Sequence, residues 1–424
     1  MGRRAGKMWR STRLGWKKST PSREVSVPKV RVRLLALPVL AGFAALAIGA
    51  GLGTAKPTKG STLPSGTYKI GFVESITGRL AFYDPVFAQG MKLAIDQIDA
   101  KGGVAGKLKL ELIEKDGKSD PAQGAVVASD LIGQKVQFGV GPCDADIGIP
   151  GAQKFQQAKI PVVMACGSGW TLPQIVGDYA FINVFGTAAL GSAQAEYAIK
   201  QGWKKAYNLS STEYFYGKNI GDVFGARYKQ LGGKVVGTGY YKFSDTDFKA
   251  IATQIAALKP DVVTSTIVLP GSTTFLKQLR AAGYKGPMLG ADSFDSNALR
   301  GAGAALNNTW FTTHACGTDP RTAAFFAAFK KATGKAPDAN FVATGGDLVL
   351  QIQAALLKAG SVDPTAVRNA YASLKNVQGV SGLISYAGSP EKGVPKKDVF
   401  VLKWVNGKRV CVTHFYPKKV LSLK

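Results

Sequence analysis

Residues 68–121, YKIGFVESITGRLAFYDPVFAQGMKLAIDQIDAKGGVAGKLKLELIEKDGKSDP, read as one strand–helix–strand unit. Tyr68 to Val73 is an apolar, β-branched and aromatic run of the kind that enters a buried parallel sheet. SITGRLAFYDP then supplies a Gly- and Pro-punctuated loop. Pro85 suits the first turn of a helix, and Ala88, Met91, Leu93, Ala94, Ile95 and Ile98 recur at helical spacing. Gly102 and Gly103 tolerate the left-handed backbone that closes a helix, and Leu108 to Ile113 returns as a second strand. A parallel crossover needs a helix on the sheet face, so the spacing predicts an α/β domain.

The same stretch resembles the opening of the branched-chain amino-acid type of periplasmic binding protein, the receptor of an uptake ABC transporter. That family begins with a strand ending IG, then TG..A.YG, a helix with G..lA.d.iNa.GG..G, a strand, and a D...DP segment. This chain has IGFVESITGRLAFYD, GMKLAIDQIDAKGGVAG and LKLELIEKDGKSDP, with Asp84 where Gly is usual and Asp99 where Asn is usual. The resemblance runs to about Lys403. It implies the type I periplasmic binding fold: two doubly wound parallel-sheet lobes joined by a three-segment hinge.

The 424 residues suffice for two such lobes, and 46% hydrophobic with 19% charged residues describes a globular chain. The net charge of +27 would by itself suggest nucleic acid or an anionic surface. Residues 1–33, however, hold 11 of the basic residues and one acid, leaving 43 basic against 26 acidic residues in the remainder. That excess is scattered singly, with no Arg-rich helix or aromatic-interleaved stripe, so nucleic-acid binding is not expected. The leader shows a basic region to Arg33, an apolar region from Leu34, and small residues at Gly53-Thr54-Ala55. It reads as an export signal over 1–55 cleaved after Ala55, followed by a linker over 56–67, and the chain is expected to be periplasmic. The uncharged run is also long enough to span a bilayer, which leaves an N-terminal anchor as the alternative.

After Pro121 the alternation of helix and strand repeats, as in a doubly wound sheet. PGAQKFQQAKI is read as a helix, and DYAFINVFGT brings the chain to a first crossing near Gly186. A second series begins there and ends at a second crossing in WFTTHACGTDP. By resemblance, the late hairpin DVFVLKWVNGKRV, turning at Asn406-Gly407, follows a third crossing and rejoins the second lobe. The expected lobes are therefore 68–186 with 313–386, and 187–312 with 387–424.

Catalytic and cofactor motifs are missing from the sequence: no G-x-S-x-G, no Walker A, no H-E-x-x-H, and two histidines only, His314 and His414. No enzyme activity, cofactor or metal is expected. What remains is the set of loops at the carboxyl ends of the strands, where open α/β sheets bind ligands. The aromatics Tyr83, Trp170 and Tyr216 on these loops suggest one cleft with an apolar ligand. Carried over by resemblance, Tyr83 falls on the aromatic of the TG..A.Y motif and Tyr216 on the second lobe's YG loop. Asp292 falls on the acid that meets a ligand ammonium, and Gly167 and Ser168 on the small residues that meet a ligand carboxylate. Cys143 and Asp144 stand where the family carries a hydroxyl, and a carboxylate at Asp144 would repel a ligand's own.

Four cysteines, Cys143, Cys166, Cys316 and Cys411, are read either as disulfides of an exported chain or as buried thiols. Cys143 and Cys166 follow consecutive predicted strands, and their pairing beside the cleft is expected. The implied function is capture of a branched-chain amino acid or related apolar or aromatic compound for a membrane permease, by a monomer. A ligand-sensing receptor domain of the same fold is the alternative.

Overall fold

A computed structural model describes residues 63–166 and 169–423. The leader, most of the linker, and Gly167 and Ser168 lie outside the described residues. Two sheets organise the chain. The first takes β1 (Gly66–Glu74), β2 (Leu108–Asp116), β3 (Phe138–Gly141), β4 (Val162–Met164) and β5 (Ala180–Ile182), in the spatial order β2-β1-β3-β4-β5, all parallel. The helices between them are α1 (Asp84–Asp99), α2 (Pro121–Gly133), α3 (Ala145–Gln157) and the short α4 (Leu172–Val176).

The second series runs α5 (Thr187–Lys200), β6 (Lys205–Ser211), α6 (Phe215–Gln230), β7 (Lys234–Tyr241), α7 (Lys249–Leu258), β8 (Val262–Ser265), α8 (Gly271–Ala281), β9 (Met288–Gly290) and β10 (Thr309–Thr313). Short 3₁₀ segments over Asp292–Phe294 and Asn297–Leu306 join the last two strands. The chain then returns to the first lobe as α9 (Pro320–Thr333), α10 (Phe341–Ala359) and α11 (Pro364–Ala372). A two-stranded ribbon of β11 (Val377–Gln378) and β12 (Leu383–Ile384) precedes β13 (Val399–Val405) and β14 (Lys408–Phe415). The second sheet has the order β14-β13-β10-β9-β8-β6-β7, parallel from β7 to β10 and antiparallel across β13 and β14.

Local chemistry explains the main elements. Pro85 opens α1, and Val86, Phe87, Ala88, Met91, Ala94, Ile95 and Ile98 form its buried face. That face meets α10 so closely that glycine is required. A Cβ at Gly90 would stand 1.9 Å from the Val342 carbonyl oxygen, and one at Gly345 2.1 Å from that of Phe87. The helix that returns in the third segment is thus locked onto the first. Asn406 and Gly407, at φ 49° and 69°, form the left-handed turn that a two-residue hairpin demands.

α3 is among the elements that differ from the sequence expectation. α3 starts at Ala145, before the predicted Pro150, which lies inside the helix. Asp144 supplies the cap, its side chain accepting from the Asp146 N–H at 2.9 Å. Pro150 removes one ladder bond in the second turn without ending the helix, even though proline inside a helix is costly.

Candidate functional site

The carboxyl-end loops of both sheets face one another across a cavity. The first lobe contributes Arg79, Leu80, Tyr83, Cys143, Asp144 and Cys166, and the second Tyr214, Tyr216, Phe243, Val268, Asp292 and Ser293. Phe341, the first residue of α10, completes the wall. Five of these residues are aromatic: Tyr83 meets Phe341 edge-on at 5.7 Å, Tyr214 and Tyr216 lie parallel at 6.3 Å, and Phe243 stands beside them in the wall. The cavity volume is about 40 Å³, room for a few water-sized groups.

Of the residues expected at a ligand site, Tyr83, Asp144, Tyr216 and Asp292 come together here. Tyr83 is buried and bridges the lobes: its hydroxyl accepts from the Leu269 N–H at 3.1 Å and lies 3.4 Å from the Ser293 carbonyl oxygen. Burial pushes its phenol up, further favouring the neutral donor. The Tyr216 hydroxyl donates to Asp292 Oδ1 at 2.5 Å, and His314 Nε2 faces Asp292 Oδ2 at 2.8 Å. Phe185 stacks on the His314 ring at 4.6 Å.

Asp144 is buried but not bare. Arg79 Nη2 stands 3.5 Å from its Oδ2, and Oδ1 caps α3. Burial raises the Asp144 carboxyl above its ordinary value, and the Arg79 charge opposes that shift. The repulsion expected from an unopposed carboxylate is therefore offset by a cation that sequence reading passed over. Arg79 also lies over the Tyr214 and Phe243 rings, at 5.8 Å and 5.3 Å.

Trp170 does not line the cavity. It begins the turn into α4 and packs with Ile182, Val184, Ala188 and Val394. The three aromatics thus divide: Tyr83, at the cap of α1, and Tyr216, in the first turn of α6 rather than on a loop, face the cavity, while Trp170 serves a local core. Gly167 and Ser168 lie outside the described residues.

Cys143 and Cys166 are joined in a disulfide, with Cα atoms 4.4 Å apart, and this bond is part of the cavity wall. A second disulfide joins Cys316, just after β10, to Cys411 on β14, with Cα atoms 5.9 Å apart. Asp84, one of the departures from the family pattern, is fully buried and ties two loops together. Its Oδ2 accepts from the Ser75 N–H at 2.8 Å and its Oδ1 from the Cys143 N–H at 2.9 Å. Across the lobes, Asp146 Oδ2 accepts from the Phe215 N–H, the first of α6, at 2.7 Å.

Arg79 lies in the SITGRLAFYDP loop after β1, and Tyr214, Val268 and Ser293 follow β6, β8 and β9, but none of them is singled out by the sequence. Phe243, just after β7, and Phe341 are likewise not among the expected site residues. Phe341 stands in the third segment, and only the α1–α10 packing brings it to this cavity.

The family model described as periplasmic binding protein matches residues 67–409. The chain belongs to that family. The family and fold are those of extracytoplasmic solute-binding proteins. Its relatives include the Leu/Ile/Val-binding protein BraC3 of Rhizobium johnstonii, 28% identical over 351 residues, covering 80% of this chain and 92% of the relative. A leucine-binding protein LivK from Thermotoga maritima superposes with a TM-score of 0.75 at 25% identity, covering 82% of this chain and 99% of that one. The LivJ substrate-binding protein of Streptococcus pneumoniae, solved with isoleucine, gives 0.74 at 26% identity, covering 82% and 99%.

Proposed function

We propose that this chain is the extracytoplasmic receptor of an ABC transporter, capturing a compact apolar solute between its lobes and delivering it to a membrane permease. Branched-chain amino acids, named for its relatives, and related apolar or aromatic compounds are the candidate class. The observation that carries the reading is the cavity itself, walled by rings from both lobes near the carboxyl ends of the strands. Tyr83, Tyr216, Asp144 and Asp292 serve as its fixing points, and no bond is made or broken.

A cavity of about 40 Å³ is smaller than such a solute, since benzene occupies a cavity of about 150 Å³. Entry therefore requires the lobes to part, with 68–186 and 313–386 moving as one body and 187–312 and 387–424 as the other. The ligand then works by differential affinity for open and closed states. In the same reading the leader directs export and is cleaved after Ala55, releasing a periplasmic monomer that starts at Lys56. Among the described residues, no helix is long and apolar enough to cross a membrane.

A thermal-shift screen of the exported chain against amino acids, aromatic acids and their neutral analogues tests the reading. A ligand at a thousandfold excess over Kd stabilises the folded state by about 4 kcal/mol. A panel that leaves the melting temperature unmoved contradicts it. Mass spectrometry of exported protein retaining Leu34 to Ala55 contradicts the cleaved leader.

A further inference from the structure

The chain beyond β14 is described to residue 423, and it lies past residue 409, where the family match ends. It does not trail into solvent but is bonded along α5, on the second lobe. The Lys418 and Lys419 N–H groups donate to the Glu196 carboxylate at 2.9 Å and 3.3 Å, and the Leu421 N–H donates to Ser192 Oγ at 3.0 Å. Glu196 is itself held by Arg227 of α6, whose Nη2 donates to its Oε1 at 2.6 Å. Through its backbone, the tail is fixed to one lobe.

Its end reaches the other side of the hinge. Ser422 Oγ donates at 2.6 Å to Oε1 of Glu391, a residue of the third crossing that is only 7% exposed. That crossing is bound to the first lobe: the Ile182 N–H of β5 donates to the Gly393 carbonyl at 2.8 Å, and a Cβ at Gly393 would stand 2.8 Å from Pro173. Val420, between the two sets of bonds, packs with Trp170 and Val394 on one side and with Phe185 and Val399 on the other. The first crossing passes beneath the same cluster, since a Cβ at Gly186 would meet Trp170 Cβ at 2.8 Å and Glu391 Oε2 at 3.3 Å. Chain ends are loose unless tied down, and this one is tied on both sides of a crossing.

We propose that residues 416–422 act as a strap across the hinge, a fourth link beside the three covalent crossings, which biases the lobes toward the closed arrangement. The inference goes beyond the solute-binding reading and uses only its division into two lobes. Opening carries Trp170 and the third crossing away from α5, and the tail cannot follow both. Releasing Ser422 leaves the buried Glu391 carboxylate short of a donor, and releasing Val420 exposes apolar surface, so both penalties fall on the open state. A strap of this kind raises the closed fraction before any ligand arrives.

Hydrogen–deuterium exchange on the ligand-free chain tests the strap. The Leu269 N–H bonds the Tyr83 hydroxyl across the cleft, and Leu269 belongs to a different apolar cluster from Val420, so its amide reports lobe opening and not tail contact. Two variants are compared with wild type: a chain ending at Tyr416, and the full chain with Val420→Ala and Ser422→Ala, which keeps the backbone bonds to α5. In both, Leu269 exchange is expected to speed at least about tenfold, the size of one hydrogen bond to a charged group. The radius of gyration from solution X-ray scattering is expected to rise with it, while amides of β6 and β8 keep their protection. Leu269 exchange unchanged in the folded variants, or faster exchange confined to α5, makes the tail a staple within the second lobe and overturns the proposal. If the shortened chain does not fold, the double substitution decides, and loss of folding there also overturns it, because a strap is not needed for the lobes to fold. No ligand enters the experiment, so the solute-binding reading stands or falls separately on the thermal-shift screen.

Discussion

Glu74 and Asp84 place two carboxyl groups in the protein interior where β1 gives way to its loop. Burial is the largest cause of the shift in each. Glu74 is pushed up to about 8, helped by a hydrogen bond with Glu114 and by the Glu114 and Asp84 charges, with Lys92 opposing. Asp84 is pushed up to about 7, against the two backbone N–H groups that favour its ionised form. Both folded values lie above the ordinary carboxyl range. The stabilising contribution is thus fully present below about pH 4 and lost as pH rises through about 7 to 8. Melting temperature is expected to fall between pH 5 and pH 8. Glu74→Gln, which keeps a donor toward Glu114 without the titration, should flatten that slope and melt above wild type at pH 8. An unchanged slope in Glu74→Gln contradicts the assignment.

At this scale the sequence was legible where a rule of position applied. Tyr83, Tyr216 and Asp292 stand at the carboxyl ends of strands, and the family motifs point to them. Trp170 satisfied the same rule yet turned inward, because a loop's position does not say which side of it faces a core. Arg79 was passed over because a lone arginine in a Gly-containing loop reads as a solvated charge. Its role depends on Asp144, Tyr214 and Phe243, which lie far from it in sequence.

Elements were legible where periodicity and punctuation agreed. The crossover from β1 through α1 to β2, and the hairpin turning at Asn406-Gly407, follow from local chemistry alone. α3 did not, since Pro150 reads as a helix start, while the Asp144 cap that begins the helix five residues earlier reads as a loop acid. The two disulfides staple different elements. Cys143–Cys166 spans 23 residues between the loops after β3 and β4, and Cys316–Cys411 spans 95 between the second crossing and β14. Loop-closure entropy then predicts that removing the longer bridge costs about 4–5 kcal/mol and the shorter about 3 kcal/mol. Urea unfolding of Cys316→Ser/Cys411→Ser against Cys143→Ser/Cys166→Ser measures the order. A larger loss from the shorter bridge contradicts the entropic account.

For the whole molecule, the contacts that join the lobes decide how closure is balanced. Asp146 of one lobe caps α6 of the other through the Phe215 N–H, and Tyr83 accepts from Leu269 across the same gap. Asp146→Ala removes a charge-assisted cap made only when the lobes meet. A cap of this kind is worth roughly 0.5–2 kcal/mol. The variant should therefore bind its ligand about 2- to 30-fold more weakly, with each lobe's folding intact, because the closed state is less populated. Equal affinity in Asp146→Ala would mean that this contact does not bias closure.

The central claim is that one small molecule sits among the rings of both lobes. Calorimetric titration of the exported chain with the compound that stabilises it most, in wild type and in Tyr216→Ala, addresses it directly. The expected result is a single site per chain in wild type, weakened by about 1–3 kcal/mol when the Tyr216 ring is removed, with the unliganded variant still folded, though less stable because Asp292 loses a donor. Binding of undiminished affinity in a folded Tyr216→Ala variant would contradict the placement of the ligand in this cavity.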